Sequence, residues 1–159
     1  LIRNATWAPT HGNTQPWRFK VYREKSRGEL SEKLGELYKK LTPENLYKEE
    51  KLNKIMARPF LSSVAIVVCM ERGNNEKIPE IEEVEAVACA IQNMCLTATA
   101  YGLGSFWSSP KIIYSMEMNS YLNIRKQDKC LGILYLGYTT IDWPKGQRKP
   151  IEYLTDWNE

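Results

Sequence analysis

From Ala86 to Pro110 the chain carries no charged residue, and this run constrains the fold more than any other feature. An uncharged stretch of this length first suggests a membrane span. Gln92, Asn93, Thr97 and Thr99 interrupt it, many of its other residues are alanines, and Glu80, Glu82, Glu83 and Glu85 lead into it. Carboxylates complement the positive end of a helix dipole, so the four glutamates read as a helix start. Gly102 and Gly104 read as its stop. The expectation is a helix buried on nearly all sides. One domain of 159 residues rarely surrounds such a helix, so burial against a second subunit follows.

The rest of the chain divides around this helix. Leu1 to Trp7 reads as the end of a helix that began earlier. Trp17 to Arg23 alternates apolar and polar residues, as a half-buried strand does. Ser26 to Leu41 places Leu30, Leu34, Leu37, Tyr38 and Leu41 at helical spacing. A Lys- and Glu-rich helix is expected from Pro43 to about Met56, stopped by Pro59. Val64 to Cys69 is a continuous, mostly β-branched apolar run and reads as a strand covered on both faces. Gly104 to Ser109 reads as a short strand or turn, Lys111 to Leu122 as a short helix, and Leu131 to Tyr138 as a last strand. Residues 139–159 hold two prolines and two tryptophans with little periodicity, which suits an extended arm packed on a partner. We read 1–159 as a single domain carrying that arm.

Several function classes fall away. A net charge of +3 is too small to argue for nucleic acid. The four cysteines, Cys69, Cys89, Cys95 and Cys130, form no Cys-x-x-Cys pair and sit among apolar residues, so they read as buried, reduced thiols. With one histidine, a structural zinc site is not expected. No signal peptide is visible, and the expectation is a cytoplasmic protein that engages no membrane. Neither a Gly-x-Gly-x-x-Gly turn after a strand nor a Walker loop is present, nor a nucleophile elbow that would put His11 in a serine triad. A chain this poor in catalytic side chains can still be an enzyme if a cofactor carries the chemistry.

The segment Ala8-Pro9-Thr10-His11-Gly12-Asn13-Thr14-Gln15-Pro16-Trp17 gathers turn formers and compact polar side chains between a helix end and a strand. Its pattern, Ala-Pro-x-x-x-Asn-x-Gln-Pro-Trp, resembles the nitroreductase family of FMN-dependent oxidoreductases. Ala90 to Met94 and Ala98 to Trp107 are similar to that family's long central helix and the turn after it. Gln127 to Tyr138 resembles its last core strand, and Arg148-Lys149-Pro150-Ile151 its basic C-terminal motif. The four matches keep the family's order and span most of the chain. The family's upstream Arg-Arg-Ser motif, which helps hold FMN, does not occur in this sequence.

The resemblance implies an α+β fold, with a mainly antiparallel central sheet flanked by helices. It also implies an intertwined homodimer with C-terminal arm exchange and active sites at the interface. The implied reaction is ping-pong: NADH or NADPH reduces the flavin and leaves, then a nitroaromatic, quinone or related acceptor is reduced. No catalytic side chain and no metal is implied. Pro9, Thr10, His11 and Asn13 match the loop that lies along the flavin; as a residue type alone, His11 is equally a surface loop histidine. Trp107, Ser108 and Ser109 match the turn whose amides approach flavin N5 and O4; Trp107 alone equally suits core packing. Arg148 and Lys149 match a phosphate contact, or else a solvated basic tail. Lys54 corresponds loosely to a cation near the pyrimidine ring. Two rival readings are a flavin protein with another reaction or no turnover, and a non-enzymatic interaction domain using the Lys-rich helix.

Overall fold

The computed structural model describes residues 1–143 and 145–158. In chain order the elements are α1 (Ile2–Ala5), β1 (Trp17–Arg23), α2 (Ser26–Leu41), α3 (Glu49–Ala57), β2 (Val64–Met70), α4 (Glu80–Ala100), β3 (Gly104–Ser108), α5 (Met116–Leu122) and β4 (Lys129–Gly137). The four strands form one sheet in the order β1-β2-β4-β3, with every neighbouring pair antiparallel.

Helices cover both faces of this sheet, which is why β2 is apolar at every position. Ala65, Val67 and Cys69 enter a core shared with Leu30, Leu34 and Leu37 of α2, Leu52 and Ile55 of α3, and Met118 and Leu122 of α5. Ile66, Val68 and Met70 enter a second core with Ala5 of α1 and Val87, Ala90, Ile91 and Met94 of α4. Burying a side chain such as Leu30 or Leu134, both fully covered, contributes roughly 1.5–3 kcal/mol. At Gly35 the two helices approach closely: a Cβ there would stand 2.8 Å from the Met56 sulfur.

Four expectations change. The Pro43–Met56 segment is a 3-10 turn at Glu44–Leu46 followed by α3, and the Lys111–Leu122 segment is a 3-10 turn at Lys111–Tyr114 followed by α5. Ser115 divides the latter pair, because its hydroxyl accepts from the Met118 amide and caps α5 afresh. The uncharged helix is not covered on nearly all sides within one chain. Glu83, Ala86, Val87, Ala90, Ile91, Met94 and Ala98 are buried, whereas Ile81, Leu96 and the following Tyr101 are exposed by 59%, 60% and 70%. Of the cysteines, Cys69 and Cys130 are buried, Cys95 half-buried and Cys89 exposed. No helix among the described residues is long and apolar enough to cross a membrane.

Candidate functional site

The loop from Pro9 to Pro16 is held in an uncommon backbone shape. Gly12, Asn13 and Gln15 all have positive φ, at 56°, 54° and 46°. For the two non-glycines this carries a strain of order 1–3 kcal/mol each. Side chains from the same loop hold it. The Thr10 and Thr14 hydroxyls lie 2.9 Å apart, and Gln15 Nε2 donates to Asn13 Oδ1 at 2.9 Å. Arg18 Nη1 donates to the Gln15 carbonyl, and the Arg18 guanidinium forms a two-pronged pair with Glu71 at 2.8 Å on each arm.

His11 and Asn13 are exposed, and Thr10 is half-buried. His11 Nδ1 lies 2.5 Å from Glu82 Oε2 at the start of α4, which ties the loop to the helix. Beneath it, a Cβ at Gly12 would meet Ile78 Cδ1 at 2.8 Å.

Ile78 belongs to a connection anchored by buried charge. Glu83 is 1% exposed. Its carboxylate accepts from Arg72 Nη1 at 2.6 Å and from the Gly73 amide at 3.0 Å. Arg72 Nη2 donates to the Ile78 carbonyl, and the Arg72 amide donates to Asp128 Oδ1. Asp128 is in turn gripped by the Arg125 amide and guanidinium. Burial works to raise the Asp128 pKa, but Arg125 and the two amides outweigh it and hold the carboxyl below its usual range. Glu83 thus sits in the first turn of α4, as expected, and in addition pins the floor under the His11 loop.

The second group lies on β3, an edge strand whose recorded pairing is to β4 alone. The β4 strand bulges there: Val68 faces Gly132 and Cys69 faces Cys130, leaving Leu131 as the extra residue. The Leu131 carbonyl accepts from Trp107 Nε1 at 3.2 Å. The indole lies across Gly132, where a Cβ would stand 2.1 Å from Nε1. Trp107 thus keeps 44% of its surface exposed while its orientation is fixed. Ser108 is buried, and its Oγ accepts from Arg58 Nη1 at 2.7 Å. The Arg58 guanidinium also sits 5.3 Å from the Phe106 ring centroid. Nearby, burial pushes the Tyr135 hydroxyl up to about 12, with Arg58 opposing the shift. Ser109 follows, exposed, before Pro110.

Arg58, which the structure brings against Ser108, was not singled out in the sequence, where it is a lone cation beside Pro59 at the close of α3. Lys54, named instead, pairs with Glu50 at 2.5 Å along its own exposed helix face. Arg148 and Lys149 are exposed, and Arg148 Nη1 donates to the neighbouring Gln147 carbonyl. Within one chain they join neither the His11 loop nor β3 by any recorded hydrogen bond or ion pair among the described residues. A groove of about 550 Å³ runs beside β3, lined by Phe106, Tyr135, Tyr138, Ile141 and Trp143 among others.

Comparison with known proteins bears on the family and the fold. The model of the Nitroreductase family matches residues 1–138. The protein named "Putative NAD(P)H nitroreductase YdjA" of Escherichia coli K12 is 29% identical over 137 residues, spanning 86% of this chain and 73% of its own length. "Putative NAD(P)H nitroreductase YfhC" of Bacillus subtilis is 28% identical over 139 residues, 87% of this chain and 70% of its own. A nitroreductase-like family protein from Bacillus cereus superposes with a TM-score of 0.80 at 28% identity, covering 99% of this chain and 81% of that one. The FMN-dependent nitroreductase NfnB of Mycobacterium smegmatis, solved with NADPH, shares the fold at a TM-score of 0.73 and 17% identity, covering 99% and 85%. With a matching family model over most of its length and the same antiparallel sheet between two helical layers, the chain belongs to the nitroreductase family.

Proposed function

We propose that the protein is an FMN-dependent oxidoreductase that uses NADH or NADPH to reduce nitroaromatics, quinones or related acceptors. The observation that carries this reading is the open edge of β3, where Trp107 is pinned flat and Arg58 stands behind Ser108. An edge strand leaves alternate amides and carbonyls unpaired. Such a row fits the hydrogen-bonding edge of an isoalloxazine ring, and a guanidinium behind it favours negative charge on that ring. When bound, FMN supplies the hydride and electron transfer. The residues on the page need only bind, orient and screen. Trp107, Ser108 and Ser109 of one subunit would line the ring. Pro9, Thr10, His11 and Asn13 of the other would close over it, their strained loop being held ready by Arg18, Glu82 and Ile78. Arg148 and Lys149 offer adjacent cations to a phosphate dianion.

This arrangement requires a homodimer, and two features support one. The exposed face of α4 presents Ile81, Leu96 and the adjoining Tyr101. The C-terminal segment, including Ile141, Trp143, Ile151, Tyr153, Leu154 and Trp157, leaves each of these at least half exposed in one chain. Residues 139–159 thus suit an arm laid on a partner; Pro144 and Glu159 lie outside the described residues. Purified protein tests the proposal through its visible spectrum. We expect a flavin spectrum after reconstitution with FMN, and anaerobic bleaching by NADH or NADPH. A protein that takes up no FMN overturns the cofactor reading. Bound FMN that neither nucleotide bleaches overturns the activity while leaving the cofactor reading standing.

A further inference from the structure

Two of the four thiols stand directly opposite each other in the core. Cys69 of β2 and Cys130 of β4 are ladder partners, each is 1% exposed, and both belong to the core beneath α2 and α5. Residues directly opposed in an antiparallel pair have Cα atoms ~4.5–5.5 Å apart, inside the ~4.4–6.8 Å window that a disulfide bridges. The β4 bulge lies immediately beyond them. We propose that Cys69 and Cys130 form a redox-active dithiol, closed by a hydroperoxide into a cross-strand disulfide that tightens the bulge at Leu131 and the seat of Trp107.

The two sulfurs are not equivalent. The Cys69 thiol and the Gly132 amide beside it hold the Cys130 pKa below the ordinary thiol value. The neighbouring Cys130 sulfur, together with burial, pushes the Cys69 thiol up. Of the pair, Cys130 adjoins the β4 bulge and is the attacking sulfur in this proposal. It displaces water from hydrogen peroxide and becomes a sulfenic acid. The Cys69 sulfur attacks that sulfur, the S–S bond forms and a second water leaves. Two thiols are oxidised and one peroxide is reduced, giving one disulfide and two waters. The link to β3 is short: Leu131, next to Cys130, holds the Trp107 indole through its carbonyl. Tying Cys130 to β2 restrains that carbonyl. Neither the disulfide nor its effect on β3 depends on bound flavin.

Peptide mapping of the whole protein tests this. Trypsin releases Cys69 in a peptide ending at Arg72 and Cys130 in one beginning at that residue, while Cys89 and Cys95 share the peptide from Ile78 to Lys111. After peroxide and alkylation, the Arg72 and Cys130 peptides should appear linked, lighter by two hydrogens than their reduced sum, and dithiothreitol should separate them. In the disulfide form, amide exchange over Gly104–Ser108 should slow by about tenfold. In Cys69→Ser, Cys130 should instead be trapped by dimedone as the sulfenic acid. Complete oxidation of Cys89 or Cys95 with Cys69 and Cys130 recovered unlinked overturns the dithiol. A linked pair with unchanged exchange over β3 overturns the coupling to Trp107.

Discussion

Replacing Gly132 by alanine should be among the most damaging single-methyl additions to this fold. The residue sits in β4 at φ +147°, a conformation that disfavours any side chain. A methyl there would lie 2.1 Å from Trp107 Nε1, 2.7 Å from Cδ1 and 3.0 Å from the Ser108 carbonyl oxygen. Trp107 must therefore leave. Its bond to Leu131 is lost, at about 1 kcal/mol. The covered part of the ring is of order 100 Å², so exposing it costs up to about 2.5 kcal/mol at ~25 cal/mol per Å². Backbone strain at a non-glycine adds about 1–3 kcal/mol. The total, about 3–6 kcal/mol, is a large fraction of the 5–15 kcal/mol typical of whole-protein stability. Urea unfolding followed by far-UV circular dichroism measures it. Trp107→Ala should suppress most of the penalty, since the clash goes and the strain remains; the double mutant should show about 2 kcal/mol of favourable coupling. A Gly132→Ala protein within about 1 kcal/mol of the parent, or strictly additive single mutants, would refute the bulge as the seat of Trp107.

Other consequences are as direct. Glu83→Gln leaves Arg72 with a neutral partner in the interior, and should cost about 3–5 kcal/mol, seen as a Tm lower by roughly 10 °C; a Tm within experimental scatter of the parent would contradict the pinned floor under the His11 loop. Asp128 has its folded-state pKa held below the unfolded value, so its ionised form stabilises the fold above about pH 4. That contribution disappears as the pH falls through the folded value. The stability gap between parent and Asp128→Asn should therefore be widest near neutrality and close on acidification, whereas parallel curves would refute the assignment. Replacing Arg148 and Lys149 together by alanine should weaken FMN binding by about 10- to 100-fold through lost charge-assisted bonds, without lowering the Tm of flavin-free protein. Unchanged affinity in a fluorescence titration would remove both from the site.

Much of the fold was legible because local signals and tertiary structure agree. The alternation of Trp17–Arg23 and the leucine spacing of Ser26–Leu41 gave β1 and α2 with their observed bounds. The apolar Val64–Cys69 run gave β2 short by one residue. The proposed site was suggested by the sequence only where a motif runs along the chain, as it does from Pro9 to Pro16 and from Trp107 to Ser109. Arg58 was missed because its partner, Ser108, lies fifty positions away. Glu83 opens α4 with its neighbours as expected, but nothing local separates it from Glu80, Glu82 and Glu85; helical phase turns it inward, onto Arg72. Cys69 and Cys130 could not be paired from spacing, since strand register sets them opposite each other.

Periodicity, turn formers and the uncharged run at Ala86–Pro110 by themselves placed the main helices and strands, because those choices depend on near neighbours and on how much apolar surface each segment must hide. Only the tertiary structure decided which face of α4 is covered, where β4 bulges, and which charges meet in the interior. Those outcomes depend on contacts between residues far apart in the chain, whose energies arise only once the sheet has set their register.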